Sequence, residues 1–394
     1  MARLSRAALA AVAVACSGEP PGQPPDPCDT PGVVCTWMGK PGLAMLSADG
    51  LDRRKEGLYL VQDIGFSGGE AFVSDFNNHR ILGVGADGTS RTVAGTGVPG
   101  DGPHEGGSCA DGCEAHSTEI WHPSQVAADP ADPAVLYAAA WHNHRLVRID
   151  TRTDEIRWLV GTGEAGYSDD PPQLAFPSSV VAAADGSVYL SDQGNQVVRR
   201  VTPDGQIERV AGSPGVGGYS GDGGPAIDAV LHGHSDWIGG PTSKLALSGS
   251  TLVLADTLNG VIRAIDLDRG TIERVAGRFV PGADVGSAPG YSGDGGPALD
   301  AVFSLPRAVA VGPAGELYVA DSSNHCVRVV DPDGEVRAFA GRCGEEGGFS
   351  GDGGPALDAR FDLPCGLWVD GRGALYVADS NNHVVRRIAA EAEP

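Results

Sequence analysis

Short runs of alternating apolar and polar residues, separated by clusters of Gly, Pro, Asp and Asn, fill most of the chain. Leu317-Tyr318-Val319-Ala320 and Val188-Tyr189-Leu190-Ser191 are typical. Alternation with a period of two predicts strands with one buried face. The pattern also repeats. One segment occurs six times, as FVSDFNNHRILGV from Phe72, LYAAAWHNHRLVRI from Leu136, VYLSDQGNQVVRRV from Val188, LVLADTLNGVIRAI from Leu252, LYVADSSNHCVRVV from Leu317 and LYVADSNNHVVRRI from Leu375. Asp75, Ala140, Asp192, Asp256, Asp321 and Asp379 are the equivalent positions, spaced by 52 to 65 residues.

Each copy reads as two strands around a short polar turn. A third strand follows a turn such as Asp331-Pro332-Asp333-Gly334, whose residues suit a hairpin, and ends in a Val-Ala-Gly type of segment. A further strand precedes each copy and usually opens with Pro, as in PSQVAAD, PSSVVAA, PRAVAVG and PCGLWVD. Four strands make a propeller blade, and six copies predict six blades. The sixth copy stops at VVRRIAAEAEP, one strand short. Residues 33–39, VVCTWMG, match the missing outer strand, which predicts that they pair beside His383 to Ala389 and close the ring without an open edge.

On these residues the chain resembles the NHL-repeat family. The Asn-His pair stands at Asn78-His79, Asn143-His144, Asn324-His325 and Asn382-His383, while Asn195-Gln196 and Asn259-Gly260 depart from it. The resemblance covers roughly residues 33–388 and implies an all-β, six-bladed propeller.

The N-terminus changes the picture of where the chain works. Arg3 and Arg6 precede a short apolar run, Ala7 to Ala15, far below the ~20 residues of a membrane-spanning helix. Residues 1–16 read as an export signal with a lipobox-like end, which makes Cys16 the expected lipidation site. Residues 17–32 read as a Pro/Gly-rich tether, residues 33–388 as the propeller and residues 389–394 as a tail. The expectation is an exported, monomeric protein. It is held at the cell envelope, at the outer membrane, only through a lipid anchor, or it is extracellular. Export permits disulfides, and Cys28–Cys35 and Cys109–Cys113 are plausible local pairs. Cys326, Cys343 and Cys365 leave one thiol over, with the pairing open.

Composition refines this only in part. The 59 glycines lie largely in turns and in the loops GYSGDGGPAIDAVL from Gly218, GYSGDGGPALDAVF from Gly290 and GFSGDGGPALDARF from Gly348, with a decayed copy, GYSDDPPQLAF, from Gly166. These loops lack the context of a phosphate-binding motif. Asp222, Asp294 and Asp352 are hard oxygen donors and make calcium an alternative, although a structural role is the simpler expectation. The net charge of −23 repels phosphate backbones and argues against nucleic acid as a partner.

The repeated Asp, Asn and His residues are expected to serve the fold, because six similar sites do not make one active site. Residues that break the repeat are the informative ones. Blade 2 has Trp121-His122 before Pro123 and Trp141-His142 in its turn, and blade 4 inserts His232-Gly233-His234-Ser235-Asp236-Trp237 before its inner strand. These departures are expected on the same face of adjacent sectors, with Lys244, Arg307 and Asp63 close to the channel mouth. Together they predict a non-catalytic site for a protein, peptide or glycan, at Trp121, His122, Trp141, His142, His232, His234, Asp236, Trp237, Lys244 and Arg307. The alternative is an enzyme. Either His122, His142, His232 and His234 would supply a zinc site like that of peptide-amidating lyases, or calcium would serve a lactonase-like hydrolase.

Overall fold

The computed structural model describes residues 28–103, 106–233, 240–281 and 290–390. Cys16, the segment before Cys28 and the last four residues lie outside these, as do His234, Asp236 and Trp237.

Six antiparallel sheets follow one another as the blades of a propeller. From the inner strand outward, blade 1 is Val61–Ser67, Glu70–Asp75, Arg80–Val84 and Ser90–Ala94. Blade 2 is Pro123–Asp129, Asp132–Ala140, Arg145–Asp150 and Glu155–Val160. Blade 3 is Pro177–Ala182, Val188–Asp192, Val197–Val201 and Ile207–Ala211. Blade 4 is Leu245–Ser248, Thr251–Asp256, Val261–Asp266 and Thr271–Ala276. Blade 5 is Pro306–Val311, Leu317–Asp321, Cys326–Val330 and Glu335–Ala340. Blade 6 takes Pro364–Val369, Leu375–Asp379 and Val384–Ile388 from the C-terminal end and its outer strand, Val33–Gly39, from the other end of the chain.

The closing register agrees with the sequence reading: Val34 faces Ile388, Thr36 faces Arg386 and Gly39 faces Val384. Gly39 explains why this segment fits. Its φ is +95°, and a Cβ there would come within 2.7 Å of the His383 carbonyl oxygen. Gly341, at the end of the blade 5 outer strand, has φ +89° and the same close approach to the His325 carbonyl, 2.9 Å. A residue that must be left-handed and must lack a side chain is glycine.

Apolar alternation buries one face of each blade against the next. Phe72, Ile81, Val126 and Leu136 share the core between blades 1 and 2. Met38, Val61, Val73 and Val385 fill the closing seam between blades 6 and 1. The Gly-rich loops strap these seams from outside. Gly224–Pro225, Gly296–Pro297 and Gly354–Pro355 add a two-residue ribbon to the outer strands of blades 4, 5 and 6, and Cys113–Glu114 does so in blade 2. The decayed copy instead folds on itself, pairing Ser168–Asp169 with Pro172–Gln173. Disulfides join Cys28 to Cys35, Cys109 to Cys113 and Cys326 to Cys343, which among the described cysteines leaves Cys365 free and buried.

Candidate functional site

The repeated polar residues form a clasp that recurs around the ring. In blade 5, Asp321 Oδ1 accepts the Ser304 N–H at 2.7 Å and Oδ2 accepts Asn324 Nδ2–H at 2.9 Å. His325 Nδ1 accepts the N–H of Leu363, at the entrance to blade 6, at 3.2 Å. His383 reaches Leu60 across the closing seam in the same way, at 3.1 Å, and His144 reaches Phe176 at 3.1 Å. Where blade 3 has Gln196, its Oε1 accepts the Gly233 N–H at 2.7 Å. The Asn-His signature is therefore an inter-blade fastener. Burial pushes the blade carboxyls up, Asp75 and Asp256 to about 6 and Asp192, Asp321 and Asp379 to about 7, against the pull of the adjacent guanidiniums.

The Gly-rich loops complete this network. Asp222, Asp294 and Asp352 pair with the fully buried Arg263, Arg328 and Arg386 at 2.8, 2.6 and 2.7 Å. Glu56, Asp101 and Asp169 do the same for Arg80, Arg145 and Arg199 in the first three blades. The loop aspartates considered for calcium are thus engaged by guanidiniums, which gives them the structural task.

Blade 2 breaks the clasp. Ala140 replaces the aspartate, and Asn143 takes over: its Oδ1 accepts the Trp121 N–H and its Nδ2 donates to the Gly100 carbonyl, both at 2.6 Å. The turn and the entrance loop of this blade then carry rings. His122 stacks on Phe76 with centroids 4.3 Å apart, Trp141 lies 4.3 Å from His142, and Trp121 lies 4.9 Å from His142. His122 and His142 hydrogen-bond to each other through their Nδ1 atoms. Phe176, at the entrance to blade 3, extends the platform to Trp141 and His144, at 5.2 and 4.6 Å. It is absent from the sequence-based set, although an aromatic stands there where blades 5 and 6 have Leu305 and Leu363.

This platform is uncharged at neutral pH. Burial, reinforced by neighbouring imidazoles, lowers His122 to about 3 and His142 to about 4, and burial lowers His79 and His144 as well. Trp121 is 41% exposed and Tyr59, at the equivalent place in blade 1, 39%. Trp141 is buried, and its indole Nε1–H has no hydrogen-bond partner.

Blade 4 contributes differently from the expectation. His232 occupies the place of Trp121, donating its N–H to Asp256 Oδ1 at 2.8 Å. Blade 3 stands between blades 2 and 4, so the two departures share a face but not adjacent sectors. Of the four imidazoles considered for zinc, His122 and His142 meet. His232 does not join them in a three-ligand group, and His234 lies outside the described residues. Among the described residues, one set of three His, Cys, Asp or Glu donors gathers within ligating reach: Glu114, His116 and Asp154, on the outer edge of blade 2. It borders an open cavity of about 410 Å³ lined also by Asp49 and Arg91.

Lys244 and Asp63 do lie in the channel. Lys244 Nζ donates to the Gln62 carbonyl and lies 3.3 Å from Asp63 Oδ1, so it spans from blade 4 to blade 1 on the opposite side of the ring. Burial raises Asp63 to about 6, with Lys244 opposing. Arg307, the second residue of the blade 5 inner strand, is buried beside Cys365.

A family model of the NHL repeat matches residues 303–335. Teneurin-m of Drosophila melanogaster is 25% identical over 92% of this chain and 13% of its own length. NHL repeat-containing protein 2 of Homo sapiens is 25% identical over 82% of this chain and 45% of its own. The chain thus spans less than half the length of either relative. Among solved structures, an auxiliary nutrient binding protein from Bacteroides thetaiotaomicron aligns with a TM-score of 0.60 and 16% identity, over 91% of this chain and 76% of that one, which is a likeness of fold.

Proposed function

Taking the chain as a six-bladed propeller with NHL repeats, we propose that it is an exported, non-catalytic binding protein whose ligand is a glycan held on the ring platform of blade 2. The observation that carries this reading is the exposed Trp121 indole set beside two neutral imidazoles. An exposed aromatic face offers area with little conformational cost, and the polar edges of Trp and His supply hydrogen bonds. A sugar ring has matching parts: apolar C–H faces and a hydroxyl rim. A platform without charge suits such a neutral partner. The Bacteroides structure, named for nutrient binding, supports a binding role for this architecture by analogy of fold.

Three disulfides agree with folding in an oxidising compartment. Among the described residues no helix is long and apolar enough to cross a membrane. In this reading the mature chain is a monomer tethered through a lipidated Cys16, with the platform free to meet ligand. A glycan array probed with the mature chain tests the proposal. Binding of one oligosaccharide class by the wild type, lost with Trp121→Ala and reduced with His142→Ala, is the expected result. A Trp121→Ala protein that retains the same glycans at the same strength removes the platform as the site.

A further inference from the structure

Seven arginines of the described chain are more than nine-tenths buried: Arg80, Arg145, Arg199, Arg263, Arg307, Arg328 and Arg386. Six of them hold a carboxylate, from Glu56, Asp101, Asp169, Asp222, Asp294 and Asp352 in turn. Three of the six, Arg199, Arg263 and Arg386, leave Nε without a partner, but each is neutralised through its Nη atoms. Arg307 is the exception. Only 7% of it is exposed, its Nε has no partner, and its Nη1 meets the Cys365 thiol at 3.9 Å. Among the described residues no carboxylate pairs with it. A guanidinium stays charged at any physiological pH, and leaving a buried charge unpaired is strongly unfavourable.

The position points to the channel. Arg307 follows the Pro that opens the inner strand of blade 5, and Cys365 follows the Pro that opens that of blade 6. The two are therefore in one tier around the axis. Ser178 has the same place in blade 3, and its buried hydroxyl is also unpartnered. Gly240 flanks the guanidinium: a Cβ on it would lie 3.3 Å from Arg307 Nη1. Lys244, whose N–H donates to the Arg307 carbonyl at 3.1 Å, sends its ammonium across to Asp63. Among the described residues the local charge is two cations, Arg307 and Lys244, against one carboxylate, Asp63, which leaves one positive charge.

We propose that Arg307 is an anion site at the mouth of the channel and that it takes a monovalent carboxylate. Two N–H donors of a guanidinium match the two oxygens of a carboxylate, and one negative charge completes the local balance. A phosphate dianion would leave an excess negative charge beside Asp63. Arg307 stands at the entrance end of its strand, as the platform residues do in blade 2, but the proposal does not rest on that reading, because a simple carboxylate needs no ring to stack on.

The test uses the mature chain and sodium acetate. Thermal unfolding is followed in acetate, chloride and phosphate at equal ionic strength and pH 7.5, for the wild type and for Arg307→Met, which keeps the volume of the stem. Acetate is expected to raise the wild-type midpoint over chloride in a saturable way, by about 2 °C or more at saturation. Arg307→Met is expected to lose this difference and, in chloride, to melt no lower than the wild type. Arg307→Lys, which retains the charge but not the two-point grip, is expected to fold and to lose most of the response. An equal acetate response in Arg307→Met, no response in the wild type, or a larger response to phosphate overturns the proposal. So does a marked loss of stability of Arg307→Met in chloride, which would mean that the guanidinium has a partner within the chain.

Discussion

Removing the closing strand tests the architecture most severely. Deleting residues 28–40 strips Val33–Gly39 from the outside of blade 6. Val34 and Met38, both 0% exposed, leave the cores of two different seams: Val34 belongs to that between blades 5 and 6, Met38 to that between blades 6 and 1. Burying side chains of this size stabilises by about 1.5–3 kcal/mol each, so roughly 3–6 kcal/mol is lost. Five register pairs with Val384–Ile388 disappear. At about 0.5–1.5 kcal/mol net per hydrogen bond, these add roughly 2–7 kcal/mol. The Gly353 N–H and the Ala356 N–H also lose the Val34 and Gly32 carbonyls. A total on the order of 10 kcal/mol is comparable to the whole stability of a typical domain. The deletion is therefore expected to lower the calorimetric midpoint by more than about 10 °C or to leave no cooperative transition. Full-length protein carrying Cys28→Ala and Cys35→Ala is the comparison. It keeps the strand and should lose only the ~2–3 kcal/mol expected for closing so short a loop. A deletion variant that melts within about 3 °C of the wild type would refute closure as the source of the ring's stability.

Other predictions follow from the same contacts. Arg328→Met leaves Asp321 and Asp294 buried or half-buried without their cation and should cost about 3–5 kcal/mol in denaturant titration, the opposite of what is expected for Arg307→Met. His122 and His142 titrate below their ordinary value of 6.5, so their contribution is complete above about pH 6.5 and falls as the pH drops toward 4 and 3. Relative to His122→Phe, which copies Phe176 of blade 3, the wild type should lose on the order of 1 kcal/mol between pH 7 and 5, after allowance for partial exposure. An unchanged difference in midpoints across that range would contradict it. Converting Cys326 and Cys343 to Ala opens a cross-link over a separation of 17 residues and should cost about 3 kcal/mol, read as a shift of the guanidinium midpoint.

The ring was legible in the sequence because every blade repeats the same strand alternation and the same turn chemistry. Closure was legible because Gly39 ends its strand as the other Val-Ala-Gly segments do. The site was legible only where it departs from the repeat, at Trp121, His122, Trp141 and His142. Phe176 was hidden because it belongs to blade 3 and reaches the platform across a seam. The loop aspartates looked like possible calcium ligands because their arginine partners stand 34 to 41 positions further along the chain. The isolation of Arg307 among the described residues could not be read at all, since it becomes visible only when the other six guanidiniums are seen with their carboxylates.

The most direct measurement of the central claim is saturation-transfer difference NMR of the oligosaccharide selected by the array, with wild-type protein and with Trp121→Ala. The account predicts strong transfer to the C–H protons of one sugar face in the wild type and its loss in the variant. Equal transfer to both proteins, with the variant's fold intact, would contradict it.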